Sequence, residues 1–120
     1  MDLNPYFLKP EATLKEAFNT IENTYGHIAI IIDINLKLIG LVTDGDIRRG
    51  LLNGLDLDAK VANVMTEKMI SLSSNIKSLK STAESLMIKH DIKQIPIINN
   101  QGKVIDLFLL KDFNNNYLNQ

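Results

Sequence analysis

Apolar residues along the chain fall into two kinds of pattern. One is helical: Leu14, Ala17, Phe18 and Ile21 recur at spacings of three and four, as do Leu79, Ala83, Leu86 and Met87. The other is a short unbroken run, found at Ile28 to Ile32, Leu38 to Val42, Ile95 to Ile98 and Val104 to Leu110. A polar turn splits each consecutive pair of runs, which predicts two hairpins of buried strands. Asn99-Asn100-Gln101-Gly102 is a clear turn signal in the second. Thr13-Leu14-Lys15-Glu16 is a capping-box pattern, in which hydroxyl and carboxylate satisfy each other's exposed amides at a helix start. Gly26 is the expected stop, since Gly adopts a positive φ at no steric cost. The second helix is expected from about Ser78 to His90. A short helix should follow each hairpin, at Gly45 to Leu52 and at about Asp112 to Leu118, the latter weakened by Asn114-Asn115-Asn116.

The two sets of elements are copies of one another. Lys37 to Asp46 lies over Lys103 to Asp112, and Ile31-Ile32-Asp33 over Ile97-Ile98-Asn99, at an offset of 66 residues. Leu14 and Ile21 match Leu79 and Leu86 at an offset of 65, so one residue is gained or lost between helix and strand. The chain therefore reads as an α+β protein of two repeats, each a helix, a two-to-three-stranded sheet and a helix. The expected division is repeat one at 1–56, a linker at 57–66, repeat two at 67–113 and a tail or truncated linker at 114–120.

A length of 120 residues with 45% hydrophobic content suits one compact domain, or two small halves sharing a core. A formal charge of -1 argues against nucleic acid as a partner, which calls for a basic face. The absence of cysteine removes disulfides and thiolate metal sites and is compatible with a reducing cytoplasm. No apolar run approaches the length of a bilayer span and no signal-like start precedes the fold. The expectation is a soluble, cytoplasmic chain with no membrane partner.

The richest chemistry stands at Leu38-Ile39-Gly40-Leu41-Val42-Thr43-Asp44-Gly45-Asp46-Ile47-Arg48-Arg49, where an apolar run ends in hydroxyl, carboxylates, Gly and two guanidinium groups. Those arginines are the only two in the chain, the remaining 11 basic residues being lysines. Arg differs from Lys in offering a planar, bidentate donor to an anion. A strand end feeding a helix N-terminus presents unpaired N–H groups and a positive dipole end, which together suit a phosphate. Thr43 can donate its hydroxyl to that phosphate, Gly45 lets the backbone come close, and Asp46 can accept two ribose hydroxyls. Arg48 and Arg49 project about 100° apart on the helix, so at most one of them is expected to reach the same phosphate. The plainer alternatives are Asp44 as an N-cap, Asp46 as a solvated first-turn acid, and the arginines as surface ion-pair partners.

The chain resembles a tandem pair of CBS domains, the Bateman module, from about Asn4 to Phe113. The resemblance rests on Gly40-Leu41-Val42-Thr43-Asp44-Gly45-Asp46, an apolar strand followed by Thr, two residues and Asp, and on Ile95-Pro96-Ile97-Ile98 in repeat two, where repeat one has Ile30 in place of the proline. It implies two repeats packed by pseudo-two-fold symmetry, a homodimer, and an adenine nucleotide such as AMP, ADP or ATP as regulatory ligand in the inter-repeat cleft. No other cofactor is implied. His27, Ile28 and Ala29 resemble the family's wall for the adenine ring. In repeat two Leu109 replaces the hydroxyl, leaving Gln94, Ile95, Pro96, Lys111 and Asp112 as a second, weaker site. The string Thr-Asp-Gly-Asp-Ile-Arg-Arg is similar to pairs attached to sugar-phosphate isomerases and to sugar-1-phosphate nucleotidyltransferases, and the ending Leu107 to Asp112, without the Thr, is more similar to the nucleotidyltransferase-linked type. On that resemblance Met1 is a start, Gln120 falls within a linker, and a catalytic domain follows it.

Other chemistries fail on inspection. Asp44-Gly45-Asp46 lacks the ligand spacing and closing Glu of a calcium loop. His27 and His90 have no carboxylate cluster beside them, so no metal is assigned. No nucleophile motif, GxGxxG or Walker pattern occurs, so the chain by itself is not expected to be an enzyme. A regulatory nucleotide-binding module, a dimerisation module without ligand, and a fragment contributing to an active site are the three readings to separate.

Overall fold

A computed structural model of the chain describes residues 1–113, which form two compact units, Met1–Met69 and the unit that starts at Ile70. In the first, strand β1 (Phe7–Leu8) precedes helix α1 (Leu14–Glu22), strands β2 (Ile28–Ile32) and β3 (Leu38–Thr43) and helix α2 (Asp44–Leu52). The sheet order is β1-β2-β3, with β1 parallel and β3 antiparallel to β2. Thr13 caps α1: its Oγ1 accepts the Glu16 N–H at 3.1 Å and donates to Glu16 Oε1 at 3.3 Å. The reciprocal bond of a full capping box is thus made to the hydroxyl. Leu14, Ala17 and Ile21 are buried, whereas Phe18 lies at the margin, 39% exposed. The helix ends at Asn23, before Gly26; the positive φ of 77° at Gly26 belongs to the following 3-10 turn, Tyr25–His27, where His27 also has φ 51°.

All five residues of β2 are buried, which is why the run does not alternate. Ala29 and Ile31 pack with Leu14, Ala17, Ile21, Val42, Ile47 and Val61 in the core of the unit. Each buried Leu, Ile or Val side chain there contributes about 1.5–3 kcal/mol. Val61 comes from the 57–66 segment expected to be a linker. That segment is bonded into the first unit: Leu14 N–H donates to Ala59 O, Val61 N–H to Ala12 O at 2.7 Å, and Leu41 and Thr66 exchange backbone bonds at 3.0 and 2.8 Å.

The second unit contains β4 (Leu72–Ser73), α3 (Leu79–His90), β5 (Gln94–Ile98) and β6 (Val104–Leu109), again with the first strand parallel and the last antiparallel to the middle one. Ala83 and Met87 of α3 pack with Leu72, Ile95, Ile97 and Phe113, flanked by half-buried Leu79 and Leu86. Lys111 to Phe113 start a helical turn; the expected continuation through Leu118 lies outside the described residues.

Internal repetition extends to hydrogen-bond register. Ile28 pairs with Thr43 as Gln94 pairs with Leu109, Ile30 with Leu41 as Pro96 with Leu107, and both hairpins shift register at the same place. The parallel strand differs. β1 pairs with Ile30 and Ile31, whereas β4 pairs with Ile97 and Ile98, one step past Pro96. Proline has no amide hydrogen to donate to a ladder, so the short strand sits beyond it. The turns are also homologous. Asp33 Oδ1 accepts the N–H of Asn35 and Lys37 at 2.8 and 3.0 Å, as Asn99 Oδ1 accepts those of Gln101 and Lys103 at 2.9 and 3.0 Å. Gly102, φ 80°, corresponds to Leu36, held at φ 66°.

Candidate functional site

Where β3 meets α2, Thr43 is the N-cap and Asp44 is already the first helical residue. The Thr-x-x-Asp spacing is a complete capping box: Asp46 N–H donates to Thr43 Oγ1 at 3.4 Å, and Thr43 N–H donates to Asp46 Oδ2 at 2.9 Å. The cap role considered for Asp44 therefore belongs to its neighbour. Asp46 is not a solvated first-turn acid either. It is 7% exposed and accepts three further bonds, from Thr43 Oγ1 at 3.1 Å, Arg49 Nη2 at 2.7 Å and Thr66 Oγ1 at 3.2 Å.

The two arginines diverge as helix geometry requires. Arg48 pairs with Asp44 one turn back, both largely exposed, an arrangement that contributes about 0.3–0.5 kcal/mol. Arg49 folds over the first turn onto Asp46, and a Cβ at Gly45 would lie 3.2 Å from its Nη1. The space beside Gly45 is thus occupied by a guanidinium. Arg48 and Arg49 side chains remain 65% and 67% exposed, and the first-turn amides of a helix have no intrahelical acceptors. The junction can therefore offer two cations and backbone donors to an anion. Gly40, part of the same signature, serves packing: a Cβ there would lie 2.8 Å from Met65 Sδ.

Register decides which of the expected adenine-wall residues join this site. Ile28 pairs with Thr43 and shares its face of the sheet, whereas Ala29 pairs with Val42 and points into the core beneath α1. His27 is exposed, its Nδ1 3.4 Å from Ile21 O at the end of α1. Ile28 and Ala29 thus do not form one wall. Sequence reasoning missed Thr66, which reaches Asp46 from 20 residues away because the Leu41–Thr66 bridge lays its segment along β3. No local spacing signals such a contact.

The second junction keeps half of the device. Leu109 N–H donates to Asp112 Oδ2 at 3.3 Å, as Thr43 N–H does to Asp46, but buried Leu109 supplies no hydroxyl. Gln94 pairs with Leu109 and is half-buried, Ile95 is a core residue, Pro96 is buried, and Lys111 and Asp112 are exposed. Among the described residues no cluster of His, Asp or Glu is placed to hold a metal ion, and no helix is long and apolar enough to cross a membrane.

Comparison with known proteins extends these observations. The family model described as "CBS domain" matches residues 1–53 and again 61–118. An inosine-5'-monophosphate dehydrogenase from Nitrosopumilus maritimus is 27% identical over 113 residues, covering 94% of this chain and 22% of that protein. The chain spans between a fifth and a third of the length of the first curated relatives it matches. Among solved structures, the CBS domain protein PAE2072 from Pyrobaculum aerophilum, complexed with AMP, superposes with a TM-score of 0.71 at 22% identity, covering 90% of this chain and 82% of that one. The CBS domain pair of protein MJ0100, in complex with 5-methylthioadenosine and S-adenosyl-L-methionine, gives 0.75 at 20% identity, covering 96% and 89%. With two units of matching register, a Thr-x-x-Asp box closing the first hairpin and a family model met twice along its length, the chain belongs to the CBS domain family.

Proposed function

We propose that the chain is a non-catalytic regulatory module that binds an adenine nucleotide at the β3–α2 junction of its first repeat. The observation that carries the reading is the junction itself: Thr43 and Asp46 at a helix N-terminus, flanked by two largely exposed guanidinium groups. AMP in PAE2072 and S-adenosyl-L-methionine in MJ0100 support an adenosyl ligand for a chain of this fold. The second junction, lacking the hydroxyl at Leu109, is the weaker site or an empty one. The module acts in the cytoplasm as a homodimer and modulates a fused catalytic domain. The Nitrosopumilus relative carries the matching segment in a dehydrogenase, so the finer expectation of a sugar-1-phosphate nucleotidyltransferase rests only on the resemblance of the Thr-Asp-Gly-Asp-Ile-Arg-Arg string and of the ending Leu107 to Asp112.

Thermal unfolding of the chain with AMP, ADP, ATP and S-adenosylmethionine tests the reading. Ligand at a hundred times its dissociation constant stabilises by about 2.7 kcal/mol, and Arg49→Met should reduce the shift with the phosphorylated ligands. Absence of a shift with all four at millimolar concentration overturns the proposal in favour of a dimerisation module. One observation favours that second reading: the Asp46 carboxylate is fully engaged within the protein.

A further inference from the structure

The proposed site makes its ribose contact through Asp46, and any role for the groups around that carboxylate rests on the nucleotide reading. A carboxylate offers about four lone-pair positions, and those of Asp46 are taken by the Thr43 N–H and hydroxyl on Oδ2 and by Arg49 and Thr66 on Oδ1. A diol that donates to this carboxylate has to displace one of these donors. The Thr43 N–H is fixed by the backbone, and its hydroxyl is also held by the N–H of Asp46. Arg49 brings a full charge at 2.7 Å. The Thr66 hydroxyl makes the longest of the four bonds, at 3.2 Å, is neutral, and comes from an exposed residue, so water can receive it once freed.

We propose that the Thr66 hydroxyl is the group a bound ribose displaces, and that Thr66 thereby reports occupancy of the site to its own segment. That segment is clipped to β3 by the two Leu41–Thr66 backbone bonds, by Met65 against Gly40 and by this hydroxyl, and it runs on to Met69, where the first unit ends. Displacement removes one clip and leaves the backbone bonds to carry the strap.

The test uses the 120-residue chain and AMP as the probe, with binding measured by calorimetry and amide hydrogen exchange followed at Thr66. Thr66→Val removes the competing donor and should bind AMP about fivefold tighter, the size of one net hydrogen bond. Thr66→Ser should retain the parent affinity. AMP should speed exchange of the Thr66 amide in the parent chain and leave it unchanged in Thr66→Val, where the clip is already absent. Binding to Thr66→Val that is equal or weaker overturns the role of Thr66 alone. Silence of all three proteins toward AMP overturns it together with the nucleotide reading.

Discussion

Replacing Asp46 with Ala should destabilise the protein even with no ligand present, because the carboxylate holds its own helix and the strap beside it. Four bonds to the carboxylate are lost, of which the one from the half-buried Thr43 hydroxyl adds little because that hydroxyl can turn to water. The Thr43 N–H and the Thr66 hydroxyl each donate to a charged acceptor that is 7% exposed, and such bonds contribute about 1.5 kcal/mol each. The pair with Arg49, whose guanidinium is mostly in water, adds only about 0.5 kcal/mol. Half of the cap persists, since Thr43 Oγ1 still accepts the N–H of residue 46. The expected loss is therefore about 3 kcal/mol, against a total of about 5–15 kcal/mol for a small domain. In urea unfolding followed by circular dichroism at 222 nm, an m-value of about 1.5 kcal/mol/M turns this into a midpoint shift of about 2 M. Asp46→Asn, which keeps shape and one acceptor oxygen, should lose about half as much. A loss for Asp46→Ala below about 1 kcal/mol would refute the argument and return Asp46 to the rank of a first-turn acid favoured only by the dipole. A large loss also means that weakened nucleotide binding by Asp46→Ala cannot be read as a lost contact, which is why Arg49 is the better probe of the site.

Leu36→Gly should stabilise by about 0.5–1 kcal/mol, since an exposed Leu is held at φ 66° where the second repeat has Gly102; a lower unfolding temperature would sink the idea. The backbone N–H donors of Lys37 and Asn35 hold the Asp33 carboxyl below its usual range, so its contribution to stability is complete above its unfolded pKa of about 3.8 and is lost as pH falls through the lower folded value. Asp33→Asn should remove that acid-limb component while keeping the turn, as Asn99 does, and an unaltered stability profile below pH 4 would contradict it. Gly50→Ala sets two rules against each other. Helix propensity alone predicts a gain of about 1 kcal/mol, but the new Cβ would stand 2.6 Å from Val64 Cγ1, and overpacking costs about 1–3 kcal/mol. Net destabilisation is expected, and a more stable variant would show that Val64 yields freely.

Features set by near neighbours in the chain are legible in its sequence. Helices α1 and α3 and the two hairpins follow from spacings within a dozen residues, where periodicity and turn residues act directly, and the repeat shows as the same local pattern met twice. Strands β1 and β4 are not legible in this way, because two residues carry no periodicity and are strands only by virtue of their neighbours. The stop of α1 departs from expectation for a related reason: Gly26 does take a positive φ, but in a separate turn three residues beyond the cap.

At the candidate site the division has the same origin. Thr43, Asp46 and the diverging arginines can be named from the sequence, because a capping box and the 100° step of a helix are properties of consecutive residues. Tertiary structure alone decided which of these groups were already engaged. Packing of the 57–66 segment on β3 brought Thr66 to Asp46 and Met65 to Gly40, and the pleat turned Ala29 into the core while leaving Ile28 beside Thr43. The order of residues was enough to set the donors and acceptors of the junction; only folding, by joining residues 20 apart, determined that the Asp46 carboxylate has no position to spare.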